Sequence, residues 1–161
     1  MVDITQWISD TSLSLIIRKA TWSIPLIQIV HIVAITMIVT STAMIVARIF
    51  GFSSRSQSMQ QTAQRFLPWI WAALIVLAPT GILLIIAEPQ RTLGNPVFWL
   101  KMLLLAGAIG VTAWFQVSVQ RNAAVWEDRA QKSTTKNAIA VSSILLWLGI
   151  LVAGRWIAYT Y

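Results

Sequence analysis

Four apolar runs dominate the chain: residues 24–47, 67–87, 97–118 and 138–158. Each is long enough to cross roughly 30 Å of hydrocarbon at about 1.5 Å rise per residue. A backbone inside lipid must satisfy its own hydrogen bonds, and for runs of this length the α-helix is the structure that does so. The expected fold is therefore all-α: an integral membrane four-helix bundle forming a single domain over residues 1–161. Only 11% of the residues are charged, less than half the usual share in a soluble domain.

The segments between the runs carry the punctuation such a bundle needs. Pro25 and Pro68 stand near the starts of the first two spans, where a missing N–H costs nothing. Asn95 can cap the third span, with Pro96 in its first turn. Residues 48–66 read as a polar loop with room for a short surface helix around 57–64, and 88–96 as a tight connection. Pro79-Thr80-Gly81 lies inside the second span and is expected to kink it. Residues 119–137 form the most charged stretch, with Arg121, Glu127, Asp128, Arg129, Lys132 and Lys136.

The N-terminal residues, about 3–20, place Ile4, Trp7, Ile8, Leu15 and Lys19 at helical spacing. This pattern predicts an N-terminal interfacial amphipathic helix. Asp3 and Asp10, with no leading Lys or Arg, do not fit a secretory signal peptide. The net charge of +7 resides in loops and span ends, which suits anionic lipid headgroups and gives no reason to expect nucleic acid as a partner. Basic residues are more numerous in 48–66 and 119–137 than in the other flanks, so those two loops are expected in the cytoplasm and both termini outside it. Nine tryptophans suit the boundary between lipid tails and headgroups.

Ionisable side chains within spans are expensive and mark candidate sites. Here they are His31, Lys101 and Arg155. An antiparallel course puts all three near the outer side. His31 lies about 9 Å beyond Pro25 and Lys101 about 7.5 Å beyond Pro96 along their helices. With Glu88, Arg91 and Arg18 nearby, a polar or anion-binding cluster is expected there, one that could take a quinone headgroup or the propionates of a haem. His31 is the single histidine, so it can be one axial haem ligand; Met37, Met44 or Met102 would have to supply a second within the chain. A cofactor pocket would be lined by Trp22, Trp99 or Trp156. Absence of cysteine and the lone histidine exclude thiolate sites and histidine clusters, and no metal site is expected. Phosphate loops, dinucleotide fingerprints and nucleophile elbows are missing, and no catalytic residue is assigned. The expectation is a non-enzymatic accessory component or small oligomer, with Gly107, Gly110, Gly149 and Gly154 allowing close helix approach. The alternative is a redox or quinone/haem-linked membrane component using His31.

Trp22, Pro25 and His31 in the first span, Arg48 and Gly51 after it, Arg65-Phe66-Leu67-Pro68-Trp69, and Asn95-Pro96-Val97-Phe98-Trp99-Leu100-Lys101 form an ordered pattern. It resembles a bacterial family of four-helix membrane proteins of unknown function (DUF6644-like), itself distantly similar to copper-resistance D type membrane proteins. The resemblance covers nearly the whole chain and implies the bundle and a bacterial inner-membrane location, but no activity. Relatives often end the first span with an acidic residue before a Leu-Arg pair; here the stretch is Val46-Ala47-Arg48, so a role requiring that acid is not expected. Copper(I) prefers thiolate and thioether ligands. This chain has no cysteine and no methionine-rich external loop, which argues against copper handling.

Overall fold

The computed structural model describes residues 4–52, 58–127, 134–157 and 159. Among them all regular structure is helical: α1 (Ile4–Ser9), α2 (Ser12–Lys19), α3 (Ser23–Ile49), α4 (Met59–Ala87), α5 (Pro89–Leu93), α6 (Pro96–Arg121), α7 (Ala123–Glu127) and α8 (Thr134–Trp156). Helices α3, α4, α6 and α8 are long and apolar enough to cross a membrane. Arg55, Asp128, Arg129 and Lys132, counted in the loop charges, lie outside the described residues.

Helix α3 packs most extensively on α4, and α6 on α8; α3–α8 and α4–α6 contacts are slighter. The bundle is thus two helical hairpins set side by side. Its centre takes one fully buried residue from each spanning helix: Ile38, Ile70, Ala108 and Ile150. Lipid is as apolar as these side chains, so the gain comes from dispersion and close fit, not from escaping water. Outward faces carry Ile75, Leu103, Leu145 and Val152, all well exposed, as a lipid-facing surface requires.

Exposed tryptophans form two levels. Trp22, Trp99 and Trp156 stand at the bundle end that carries α5; Trp69 and Trp114 stand toward the end that carries α7. Trp99 and Trp114 are separated by 15 residues of α6, or about 22 Å of helix axis. That separation suits two interfacial aromatic belts.

Two expected boundaries shift. The polar stretch 48–66 is not mostly loop: α4 begins at Met59. Ser58 starts it with a capping box, its hydroxyl accepting from the Gln61 N–H at 3.0 Å while the Gln61 side chain accepts from the Ser58 N–H at 2.9 Å. Pro68 is consequently internal, and α4 runs unbroken through Pro68 and Pro79. The N-terminal amphipathic segment is two helices, not one. Thr11 interrupts it and caps α2, accepting from the Ser14 N–H.

Candidate functional site

At the α5 end, the two hairpins part around a cavity of about 490 Å³. Its wall on α3 is Ile24, Gln28, His31 and Ile35, spaced four, three and four residues apart and so on one helical face. The wall on α6 is Phe98, Lys101, Met102, Leu105 and Ile109, again a single face. Helix α4 contributes Leu74, Leu77, Gly81 and Leu84, and α8 contributes Ile150 and Gly154. Glu88, Arg91 and Thr92 stand at the mouth. From Glu88 down to Leu74 the cavity follows about 21 Å of the α4 axis. It is polar at the top and apolar at the floor.

His31 is fixed across the α3–α4 hairpin. Its Nδ1 lies 2.8 Å from the Thr80 hydroxyl. That hydroxyl also lies 2.8 Å from the Val76 carbonyl and 3.1 Å from the Leu77 carbonyl, to which it donates. The His31 ring lies against the α4 backbone: a Cβ added at Gly81 would sit 3.5 Å from His31 Cε1. Lys101 is placed the same way on the other hairpin. Its Nζ would be 3.8 Å, and its Cε 3.9 Å, from a Cβ added at Gly154. Each ionisable side chain therefore rests on a glycine of the helix opposite. Among the described residues no hydrogen-bond acceptor or carboxylate partners the Lys101 ammonium.

Arg155 takes a different course. It is exposed, its guanidinium donates to the Tyr159 hydroxyl at 2.8 Å and lies 5.2 Å from that ring's centroid, and it does not line the cavity. The structure thus joins His31 and Lys101 in one cavity and leaves Arg155 at the aromatic belt. Trp22, Trp99 and Trp156 do not line it either; they face outward. Trp99 instead donates to the Leu93 carbonyl at 3.0 Å, tying α6 to α5. The potential second haem ligands separate: Met102 lines the cavity, whereas Met37 and Met44 do not.

The mouth is organised by Glu88, which ends α4 and starts α5. Its backbone carbonyl accepts from the Thr92 hydroxyl at 2.7 Å, and its carboxylate holds Arg91 at 2.9 Å. Helix α1 packs on α5 and covers this end. Arg18 bonds the Ser9 carbonyl, closing the α1–α2 segment on itself.

Thr80 and Gly81 were visible in the sequence only as kink residues. Their site role could have been found by asking what could face His31 across a hairpin, given the polar Thr80 in an apolar run. Among the described residues no group of three or more His, Cys, Asp or Glu stands together.

No curated protein and no solved structure matches the chain. The sequence pattern of a family of unknown function, DUF6644, matches residues 6–160. That match spans nearly every element described above, from α1 to the end of α8, and the chain belongs to this family.

Proposed function

We propose that this protein is a non-enzymatic membrane component whose bundle holds an amphipathic, lipid-soluble ligand, with an oxygen-bearing headgroup at His31 and Lys101. The observation that carries this reading is the Lys101 ammonium, which faces a mostly apolar cavity and has no hydrogen-bond or ion-pair partner among the described residues. An ammonium inside a spanning helix is expensive unless something compensates it. A ligand oxygen does so. The cavity's volume, about 490 Å³, falls in the range of small-molecule sites. Ile82 of α4 and Met102 of α6 line it and are well exposed, which supports access from the lipid along the loosely packed α4–α6 seam. We place the protein in a bacterial inner membrane on the strength of the family resemblance, with both termini outside the cytoplasm on the distribution of basic residues.

The test is co-purification. Protein isolated in mild detergent from its native membrane is extracted with organic solvent and the extract analysed by mass spectrometry, beside a visible spectrum of the intact protein. Wild type should retain a stoichiometric amphipathic molecule that Lys101→Met and His31→Ala lose. An extract identical across wild type and both folded variants would overturn the reading. A Soret band lost only with His31 would identify the occupant as haem.

A further inference from the structure

The hydrogen bonds around His31 fix which way its free nitrogen faces chemically. Thr80 has one hydroxyl proton. It lies 2.8 Å from the Val76 carbonyl, with Leu77 at 3.1 Å, and is spent there, as hydroxyls in helices commonly bond the carbonyl one turn back. The 2.8 Å contact from His31 Nδ1 must then be an N–H donated by the ring to the Thr80 oxygen. In the uncharged imidazole one nitrogen carries the proton and the other the lone pair. With Nδ1 protonated, Nε2 is an acceptor. Among the described residues Nε2 has no partner. The cavity therefore offers an unpaired acceptor on His31 and unpaired donors on Lys101, with the Gln28 amide one turn away on the His31 wall.

A headgroup that satisfies both must present a hydroxyl to His31 and an oxygen acceptor to Lys101. A carboxylate has no proton for His31. A phosphate dianion calls for more than one free cation, yet Arg91 is already held by Glu88 and Arg155 lies outside the cavity. A carbonyl-only quinone would set its lone pairs against that of Nε2. A dihydroxy aromatic ring has both functions and is uncharged, and Phe98 lines the same cavity as His31 and Lys101. Its alkyl or prenyl tail would follow the apolar floor of Ile35, Leu74 and Ile109.

We infer that the ligand is a tailed quinol, bound in preference to its oxidised quinone because His31 accepts from a ligand hydroxyl while Lys101 donates to a ligand oxygen. This rests on the proposed ligand-binding function and narrows it to a headgroup. The inference concerns binding alone.

The probes are a decyl-substituted benzoquinone and the same compound chemically reduced to its hydroquinone beforehand. Binding of each to the full-length, delipidated protein in detergent is measured anaerobically by isothermal titration. The expected result is quinol binding about tenfold tighter than quinone, the scale of one hydrogen bond gained against one lost. His31→Gln, whose amide offers both donor and acceptor, should abolish the preference. Thr80→Val, which releases the ring to adopt either tautomer, should shrink it, and Thr80→Ser should keep it. Equal binding, or tighter quinone binding, overturns the inference and leaves the ligand-binding reading intact. So does failure of both probes to bind a protein that still co-purifies with an amphipathic molecule. Failure of both probes together with an empty co-purification takes down the broader reading as well.

Discussion

The His31 imidazole and the Thr80 hydroxyl meet at 2.8 Å across the α3–α4 hairpin, 49 residues apart in sequence. Thr80 follows Pro79, which has no N–H to offer the preceding turn, and its hydroxyl meets carbonyls of that turn and the His31 ring together. One side chain thus serves the local helix and the interhelical contact. Thr80→Val keeps the shape and removes the hydroxyl. It should destabilise the hairpin by about 1–2 kcal/mol, because the His31 N–H is left half-buried without a partner. Thr80→Ser should recover most of this. Denaturation in detergent followed by circular dichroism would decide it, and an unchanged Thr80→Val melt would show the bond to be energetically idle.

Much of the scaffold was legible because its physics is local. The four spans follow from run length and hydropathy, and the α6 start follows from Asn95, whose side chain accepts from the Val97 N–H at 2.9 Å with Pro96 behind it. Beyond Ser58 local reading reached a short surface helix but neither its burial nor its continuity with the span. Met59–Arg65 is polar in composition, yet Met59, Thr62 and Ala63 are buried, in a stretch of α4 that continues past the expected span while α4 also packs on α7. That burial is tertiary and leaves no hydropathy signal. His31 and Lys101 were recoverable as a pair because depth along a helix can be counted. Rotation about the helix cannot be counted from an all-round apolar run, and rotation is what sends Arg155 to Tyr159 and Trp22, Trp99 and Trp156 outward.

The capping box gives a second prediction. Ser58→Ala removes the oxygen that accepts from the Gln61 N–H and should cost about 1 kcal/mol. For a chain of this size that is a melting-temperature drop of roughly 2–4 °C. Ser58→Asp should retain the stability. Thermal scans of the three proteins in one detergent check it.

Gly154 supplies a third. The nearest atoms to an added Cβ are Lys101 Nζ and Cε, at 3.8 and 3.9 Å, so Gly154→Ala should fold normally. Gly154→Leu would occupy the space of the Lys101 side chain and should abolish ligand retention in a protein that still inserts. Gly149 behaves differently: its Cβ would stand 3.2 Å from Leu104 Cδ1, so Gly149→Ala should lower the melting temperature while leaving ligand retention intact. Reversal of these two alanine phenotypes would contradict the geometry.

Orientation is tested by accessibility, helped by the absence of native cysteine. Gln90 on α5 and Gln60 at the start of α4 are both exposed and lie at opposite ends of the bundle. Single-cysteine variants Gln90→Cys and Gln60→Cys should differ in intact cells: a membrane-impermeant maleimide should label the first and spare the second. The opposite pattern would reverse the proposed topology.

Lys101 sets the clearest opposition between stability and function. In lipid the gain from helix packing is modest, and an unpartnered ammonium works against it. At the centre of a bilayer a lysine costs about 3 kcal/mol on insertion scales. Lys101 is about a turn and a half into α6, so the expected cost is smaller, roughly 1–2 kcal/mol. Lys101→Met keeps the length and apolar stem and removes the charge. It should therefore raise the melting temperature of the ligand-free protein while eliminating ligand retention. Adding ligand should stabilise wild type by mass action and leave the variant unchanged. The comparison is informative because a purely structural lysine predicts the reverse: a residue that holds the bundle together by snorkelling to headgroups or bonding α8 would melt earlier when replaced. Paired thermal scans, with and without the decyl hydroquinone, separate the two. A lower melting temperature for Lys101→Met in the ligand-free state would assign Lys101 to the scaffold and remove it from the site.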